Sequence, residues 1–324
     1  MKKVILVIDP PKNICSADLS RHDMEGYNPL EIELTKKALE KFTSVSLYTN
    51  LKKFTKRAWL HKKDLIFPMA WGECDKNSKA LIPALCETND ISYLGADPYT
   101  QILCNDKYMA KKYAQIFGLQ TPKGILLYKS QSISEIRKNL QYLSIPLVIK
   151  PNFGGGSCGI SESNLVDDYE VAVQLIAELF KLNYSPIIAE EYIEGYEVSI
   201  LLCKNNKGIT FQGETKLTID NEEYFTHKIW GFETKKVDFK KSHYQVCELI
   251  PKQDIEKAER MFLSFSKAEY LRVDGRINSK GFFVIELSVD CYLGPESDFC
   301  IAFKNINLSH SDFLLQLVEN VGDI

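Results

Sequence analysis

Residues 271–294 hold the sequence feature that constrains the fold of this chain most. Segments 272–274 and 282–287 each have the composition of a short strand, and 278–281 between them is typical of a hairpin turn. Pairing of these strands brings Asp274 close to Glu286. Carboxylates at the end of a hairpin, beside an arginine, suit a Mg²⁺ ion that bridges phosphate oxygens. An ordinary hairpin with a polar exposed face explains the same pattern, so the rest of the chain has to decide.

The composition excludes several classes of protein. With 324 residues the chain is long enough for two or three packed domains. Its net charge of −3 gives no support for nucleic-acid binding through a basic surface. The apolar runs are only as long as strands, which predicts no membrane span. Nine cysteines without CxxC or Cys/His metal spacing indicate reduced thiols and a cytoplasmic protein.

The first hundred residues alternate between predicted strands and helices. The strands are expected at 4–8, 44–48, 65–67 and 91–95. One helix is expected after Asn28, which opens a capping box with Glu31, and another over 79–87. The buried face of the first helix is predicted to comprise Leu30, Leu34, Ala38 and Phe42. This alternation predicts a small open parallel α/β domain, with the long polar segment 10–27 as a candidate substrate loop.

Two lysines stand next to features that suit a phosphate group. Lys107 lies in the first turn of the helix predicted after Asp106, and Lys150 ends a strand just before three glycines (154–156) and Ser157. Backbone N–H groups of such a loop can curl around a phosphate. A mobile hairpin tip is the commoner reason for consecutive glycines, and the loop is neither a Walker A nor a dinucleotide-binding motif. The lysine directly before the loop favours phosphate binding.

An apolar strand over 186–189 leads into an acidic hinge. Glu190 and Glu197 flank this hinge, and a second strand is predicted over 198–202. Extended backbone at a hinge can hydrogen-bond the edge of an adenine, and a carboxylate can accept both hydroxyls of a ribose. An exposed acidic hinge with no ligand explains this segment equally well when it is taken alone.

In this order the segments resemble the ATP-grasp superfamily, most closely its D-alanine–D-alanine ligase branch, from Phe67 to the C-terminus. The similar motifs are CNDKYMAKKYAQIFGLQTP, IKPNFGGGSCGIS, AEEYIEGYEVS, THKIWG, RVDGR and VIELSVD. The resemblance implies an α/β fold that begins with an open parallel α/β domain over 1–103. A two-subdomain ATP-grasp fold of α+β type is expected to follow, with a central part over 104–188 and a C-terminal part over 189–324 that holds the metal site.

The resemblance also assigns roles to residues of this chain. ATP is expected at Lys107, Lys150, Gly155, Gly156, Ser157, Glu190, Glu191, Tyr192, Ile193 and Glu197, with the base at 190–193 and the ribose at Glu197. Lys228 is expected near the terminal phosphates, and Arg272 at the reaction centre. Mg²⁺ is expected at Asp274, Glu286, Ser288 and Asp290. Segments 154–157 and 221–230 are expected to close over the site.

Several departures from the family pattern bear on the metal and the substrate. Ser288 stands where the family usually has asparagine, and Asp290 is expected to compensate as a metal ligand. Ile229 stands where tyrosine is usual, and Gly156 where serine is usual. The N-terminal signature for the first D-alanine is not visible around 9–16. These replacements predict poor use of D-alanine.

The resemblance implies an ATP-dependent ligase that joins a carboxylate to an amine through an acyl phosphate. The implied cofactors are ATP and Mg²⁺, and the implied partners are amino-acid or small-peptide substrates, with a homodimer left open. One alternative is an authentic D-alanine–D-alanine ligase. Another is a degenerate ATP-binding domain that regulates or scaffolds without ligating. A kinase that stops at phosphorylation of a carboxylate is a further, smaller alternative.

Overall fold

Four parallel strands form the N-terminal sheet. They are β1 (Val4–Ile8), β2 (Val45–Tyr48), β3 (Leu65–Met69) and β4 (Ser92–Tyr93), and their order across the sheet is β2-β1-β3-β4. The predicted parallel α/β domain is therefore confirmed. The computed structural model describes residues 2–9, 27–70, 76–157, 159–229, 231 and 241–321. Most of the predicted substrate loop (10–26) and Trp230 of the predicted closing segment lie outside the described residues.

Two antiparallel sheets follow in the chain. The central sheet comprises β5 (Gly124–Leu127), β6 (Leu147–Pro151), β7 (Leu165–Val166) and β8 (Ile187–Glu191), in the order β5-β8-β6-β7. The large sheet comprises β9 (Gly195–Asn205), β10 (Gly208–Ile219), β11 (Tyr224–Phe225), β12 (Ser242–Val246), β13 (Tyr270–Asn278) and β14 (Gly281–Ser288). Its order is β12-β10-β9-β13-β14, with β11 paired to β9.

Helices cover the sheets. They are α1 (Pro29–Leu39), α2 (Leu51–Arg57), α3 (Leu81–Thr88), α4 (Pro98–Asn105), α5 (Lys107–Ile116), α6 (Ile133–Leu140), α7 (Tyr169–Lys181), α8 (Lys252–Leu263), α9 (Asp298–Asn305) and α10 (His310–Asn320). The capping box of Asn28 and Glu31 at the start of α1 is confirmed. The predicted buried face of α1 is wrong in part, because Leu30 is 63% exposed while Ile32, Thr35 and Leu39 are buried with Ala38. No helix in the described ranges is long and apolar enough to cross a membrane.

Helices pack against each of the three sheets and form a hydrophobic core with it. Helices α6 and α7 pack on one face of the central sheet, and the core between them is drawn only from residues 125–189. Helices α5 and α8 pack on one face of the large sheet. Helices α9 and α10 return to the N-terminal sheet and share a core with β1 and α1. One face of the central sheet and one face of the large sheet therefore remain open toward each other, and a cleft lies between them.

The two predicted domain boundaries fall inside a helix and a strand and not between elements. The boundary at 103 falls inside α4, and the boundary at 188 falls inside β8. The last predicted part also supplies α9 and α10, whose side chains pack against the first sheet. A hydrophobic core shared by residues from both ends of the chain has no simple signature in the sequence, so the three-part division remains a prediction.

Candidate active site

A cleft lies between the two antiparallel sheets, and concave sites of this kind hold nucleotides and other small ligands. The structure brings twelve of the sixteen predicted site residues together in its lining. They are Lys107, Lys150, Gly155, Ser157, Glu190, Glu191, Tyr192, Ile193, Glu197, Arg272, Asp274 and Glu286. Gly156, Lys228, Ser288 and Asp290 do not line it.

Lys107 is held in place by the glycine loop that follows β6. Asp106 caps α5, and the Asn152 side chain, which is completely buried, donates to the Asp106 carboxylate at 2.8 Å and accepts from Tyr108 N at 2.9 Å. The Lys107 ammonium donates to the carbonyl of Gly154 and lies 3.5 Å from the Glu286 carboxylate. Main-chain and amide contacts thus join the start of α5 to the glycine loop, and the positive charge points into the cleft.

Lys150 projects from β6 toward Glu190 of the neighbouring strand β8. The Glu190 carboxylate forms ion pairs with Lys150 and, at 2.5 Å, with Lys111. Burial opposes ionisation of Glu190, but the two lysines outweigh burial and lower its pKa. Burial lowers the pKa of Lys111 to about 8, although Glu190 offsets part of this effect.

The side chain of Glu190 is therefore engaged elsewhere, and the predicted place of residue 190 at the base stays a prediction for its main chain. A carboxylate that is 2% exposed and already paired with two lysines is not available to an adenine. The residues that follow β8 are better placed, since Tyr192 and Ile193 line the cleft. The side chain of Glu191 also turns away in part, because it accepts a hydrogen bond from Ser144 N at 2.8 Å.

The hairpin of β13 and β14 forms the floor of the cleft. Asp274 lies opposite Glu286 in the strand register, as the sequence predicts. Arg272 makes two contacts with the Asp274 carboxylate, at 2.7 and 2.9 Å, and Ser199 on β9 donates to the same group at 2.8 Å. A third carboxylate, Asp298, lies 3.2 Å from the Arg272 guanidinium. Burial raises the pKa of Asp298, and Arg272 offsets part of that effect.

The floor also contains a β-bulge that sets which side chains face the cleft. The strand register shifts between Asp274 and Gly275, so Ile285 is an extra residue on β14. A Cβ atom on Gly275 would lie 2.4 Å from the Phe282 ring and 2.6 Å from the Phe283 carbonyl oxygen. Only glycine fits at this close approach, and the bulge lets Glu286 face the same side as Asp274.

The carboxylates of the floor fit a phosphate-bridged Mg²⁺ ion. Such an ion is usually held by one or two carboxylates together with phosphate oxygens, and Asp274 and Glu286 supply two. No cluster of three or more potential metal ligands occurs among the residues that the structure describes. Of the other predicted ligands, Ser288 lies opposite Arg272 outside the cleft lining. Asp290 forms an ion pair of 2.6 Å with buried Lys79. Its carboxylate is therefore engaged with a lysine, and the structure does not support its predicted role as a metal ligand.

Lys228 does not point into the cleft. Its ammonium lies 3.4 Å from the Glu222 carboxylate, whereas its neighbour Ile229 lines the cleft. The main chain of Lys228 is held firmly by Tyr192, whose hydroxyl contacts the Lys228 N–H at 3.0 Å and its carbonyl oxygen at 2.9 Å.

The glycine loop has left-handed backbone at Gly154 and Gly156, with φ of 94° and 62°, and also at Ser157.

Three residues of the site were not predicted, although two of them follow from a simple spacing. Lys111 lies four residues after Lys107, on the same face of α5. Arg276 lies two residues after Asp274, on the same side of β13. Ser199 lies opposite Asp274 on β9, a pairing that depends on the strand order and is not readable from the sequence.

Comparisons with known proteins bear on these assignments. A family model described as D-ala D-ala ligase C-terminus matches residues 114–319. A D-alanine–D-alanine ligase from Coprothermobacter proteolyticus is 28% identical over 159 residues, which cover 49% of this chain and 50% of that protein. A D-alanine–D-alanine ligase A from Bacillus cereus is 25% identical over 263 residues, which cover 79% of this chain and 81% of that protein.

The solved structure of a D-alanine–D-alanine ligase from Bacillus anthracis complexed with ATP aligns with a TM-score of 0.75. The alignment covers 99% of this chain and 97% of that one at 18% identity, so it shows the fold alone and confirms the predicted fold class. The chain spans 50% to 57% of the length of the first curated relatives it matches. Because the family model covers more than half of the chain, the chain belongs to the family defined by the D-alanine–D-alanine ligase C-terminal domain.

Proposed function

We propose that this protein is an ATP-dependent ligase that joins a carboxylate to an amine through an acyl phosphate. One observation carries the proposal: Lys107, Lys150 and Arg272 line the same cleft as the opposed carboxylates of Asp274 and Glu286. Fixed cations close to a carboxylate pair suit the phosphates of ATP and a Mg²⁺ ion between them. Family membership supports the same chemistry.

The chemistry explains why ATP is needed. A carboxylate does not react with an amine in water, because its oxygen is a poor leaving group. Transfer of the γ-phosphoryl group to the carboxylate oxygen releases ADP and gives an acyl phosphate. The amine then attacks the acyl carbon, inorganic phosphate leaves, and the amine loses a proton, so that an amide remains.

Each group of the cleft has a role in this proposal. Lys107 and Lys150 would hold the phosphates, and Arg272 would stabilise the oxyanion formed during amine attack, a contribution of about 3 kcal/mol. A Mg²⁺ ion held by Asp274 and Glu286 would neutralise charge on the phosphate oxygens. Closure of the cleft would keep water away from the acyl phosphate, which water would otherwise hydrolyse.

The proposed substrates are amino acids or a small peptide. The curated relatives are named as D-alanine–D-alanine ligases, but Ile229 faces the cleft of this chain and offers no hydrogen bond. A site that hydrogen-bonds its substrate discriminates steeply against ligands that leave its polar groups unpaired. We therefore propose poor synthesis of D-alanyl-D-alanine and better activity with a larger amino acid or peptide.

The proposal extends to location and assembly. The six cysteines within the described ranges are unbridged, and five of them are buried, which supports a reducing, cytoplasmic environment. A homodimer stays a prediction, and the mass of the protein in solution by light scattering tests it.

A screen of amino-acid and dipeptide pairs for ADP release, with mass spectrometry of the products, tests the function. We expect ADP release that depends on an added pair and a product lighter than the two substrates by one water. ATP binding without turnover on any pair would favour the degenerate alternative. D-alanyl-D-alanine formed faster than every other product would restore the authentic D-alanine–D-alanine ligase.

A further inference from the structure

Arg276 is a buried cation at the edge of the nucleotide cleft. Its side chain is only 5% exposed, and its guanidinium forms an ion pair with Glu197 through two nitrogens, at 2.7 and 3.0 Å. The guanidinium carbon lies 5.5 Å from the centre of the Tyr192 ring and 5.1 Å from that of Phe225. A charge buried this deeply is costly unless its surroundings use it fully.

The same guanidinium also reaches the main chain of Lys228. It donates to the Lys228 carbonyl oxygen at 3.0 Å and to the Tyr192 hydroxyl at 3.2 Å. The Tyr192 hydroxyl in turn accepts from the Lys228 N–H at 3.0 Å. Both main-chain polar groups of Lys228 are thus fixed to the hinge, one by Tyr192 and the other by Tyr192 and Arg276 together.

We propose that Arg276 is a positioning residue that holds the Lys228 backbone beside the nucleotide, with Glu197 as its anchor. The inference rests on the proposed function, together with the expectation from the family resemblance that Lys228 binds the terminal phosphates of ATP. In the structure the Lys228 ammonium lies beside Glu222 rather than in the cleft. A side chain that must swing from Glu222 to the phosphates needs a fixed pivot, and the clamped backbone provides one.

The geometry of the clamp requires arginine. Three partners in different directions, namely Glu197, the Tyr192 hydroxyl and the Lys228 carbonyl, are met by one planar group with five donors. A lysine at this position keeps the charge but offers a single nitrogen, which cannot reach all three. The strand neighbour Ile277 packs in the core on the opposite face of β13 and does not share this role.

The experiment compares the affinities for ATP and AMP, measured by calorimetry in excess Mg²⁺ without any amino-acid substrate. AMP shares the base and ribose of ATP but lacks the terminal phosphates, so the ratio of the two dissociation constants reports on groups such as Lys228. The variants are Arg276→Met, Arg276→Lys, Lys228→Met and the double variant Arg276→Met/Lys228→Met. Arg137→Met is the matched control, because Arg137 on α6 forms an exposed ion pair with Glu170 on α7, and neither helix carries a residue of the clamp.

We expect Arg276→Met and Lys228→Met each to reduce the preference for ATP over AMP by about tenfold, the size expected for loss of a charged hydrogen bond. The double variant should lose no more than Lys228→Met alone, because Arg276 acts through Lys228. Arg276→Lys should fall between Arg276→Met and the parent, and Arg137→Met should match the parent.

Two results would overturn the inference while the proposed nucleotide site stands. One is an unchanged ATP preference in both Arg276 variants alongside a loss in Lys228→Met. The other is a double variant whose loss is the product of the two single losses. A parent protein that binds neither nucleotide would instead overturn the proposed function, and the inference with it. Thermal unfolding of each variant identifies any that fails to fold, and Arg276→Lys, which keeps the buried charge balanced, then decides.

Discussion

At the scale of single residues, Glu190 forms ion pairs with two lysines on the positively charged side of the cleft. Its buried carboxylate is shared by Lys111 and Lys150, so each of these buried lysines has a negatively charged partner. Only Lys150 of this pair lines the cleft. We expect Lys111 to keep Glu190 neutralised when Lys150 turns toward a phosphate, because otherwise that turn would leave a buried carboxylate alone.

Replacement of Lys150 tests where the phosphates bind. Lys150→Ala should weaken ATP binding about tenfold, as expected when a charged hydrogen bond is lost. The protein should remain folded, since Lys111 retains its ion pair with Glu190. Calorimetry measures the affinity, and Lys129→Ala, an exposed lysine beside Asn183, is the control. Unaltered ATP affinity in Lys150→Ala would show that the phosphates bind elsewhere.

The pKa of Lys111, lowered by burial to about 8, predicts a pH dependence. Below this pH Lys111 is charged and neutralises Glu190. Above it Lys111 becomes neutral, Glu190 holds Lys150 more strongly, and Lys150 is less available to a phosphate. ATP affinity should therefore fall as the pH rises from about 7 to about 9, by roughly fivefold for one charge acting at a few ångströms.

Calorimetry across this pH range measures the effect, with Lys111→Met as the comparison. The variant should bind ATP more weakly than the parent at neutral pH and show a nearly flat profile, because the titrating amine is gone. An equally steep profile in Lys111→Met would assign the pH dependence to another group.

At the scale of elements, the hairpin of β13 and β14 determines the metal site. Asp274→Asn and Glu286→Gln should each raise the Mg²⁺ concentration needed for half-maximal ADP release by about tenfold, since each removes a charged ligand. Asp290→Ala should leave that requirement unchanged and should instead lower the unfolding temperature, because Asp290 pairs with buried Lys79. Titration of Mg²⁺ and thermal unfolding separate the two effects. A higher Mg²⁺ requirement in Asp290→Ala would make Asp290 a ligand after all.

Elements defined by local patterns are predictable from this sequence. The hairpin turn, the capping box at Asn28 and the helix that begins at Lys107 depend on residues a few positions apart. The buried face of α1 was predicted less well, because residues at spacings of four drift about 40° around a helix at each step. Leu30 therefore leaves the packed face on which Ile32 and Leu39 lie.

The parts that could not be predicted depend on contacts between distant segments. Glu190 was assigned to the base because its segment resembles an adenine hinge, but its partner Lys111 lies 79 residues away. Asp290 was assigned to the metal because it follows Glu286 closely, but Lys79 from the N-terminal region takes its charge. No spacing rule reveals such a partner, since tertiary packing alone brings it within reach.

At the scale of the whole molecule, the chain enters and leaves the central sheet at one place. Gly124 at the start of β5 lies opposite Glu190 near the end of β8, and Glu191 N donates to the Lys123 carbonyl oxygen at 2.9 Å. The incoming and outgoing chains are thus adjacent. A rotation about this point would move Lys150 relative to Arg272 without disturbing either core.

Such a rotation predicts closure on nucleotide binding. The radius of gyration from small-angle X-ray scattering should decrease from about 20 Å when ATP and Mg²⁺ are added. Lys107→Ala/Lys150→Ala, which should bind ATP poorly, is the control and should show no change. An identical scattering curve for the parent with and without nucleotide would indicate that the cleft is already closed.

The core of the central sheet draws on residues 125–189 only, whereas the cores on either side combine residues from before and after this stretch. The stretch is therefore a unit inserted into an otherwise continuous scaffold, and the chain enters and leaves it beside Gly124 and Glu190. A unit with its own core can be exchanged between related chains by cutting the chain at these two points. Such chimaeras would carry Lys150 and the glycine loop from one parent and the metal hairpin from the other.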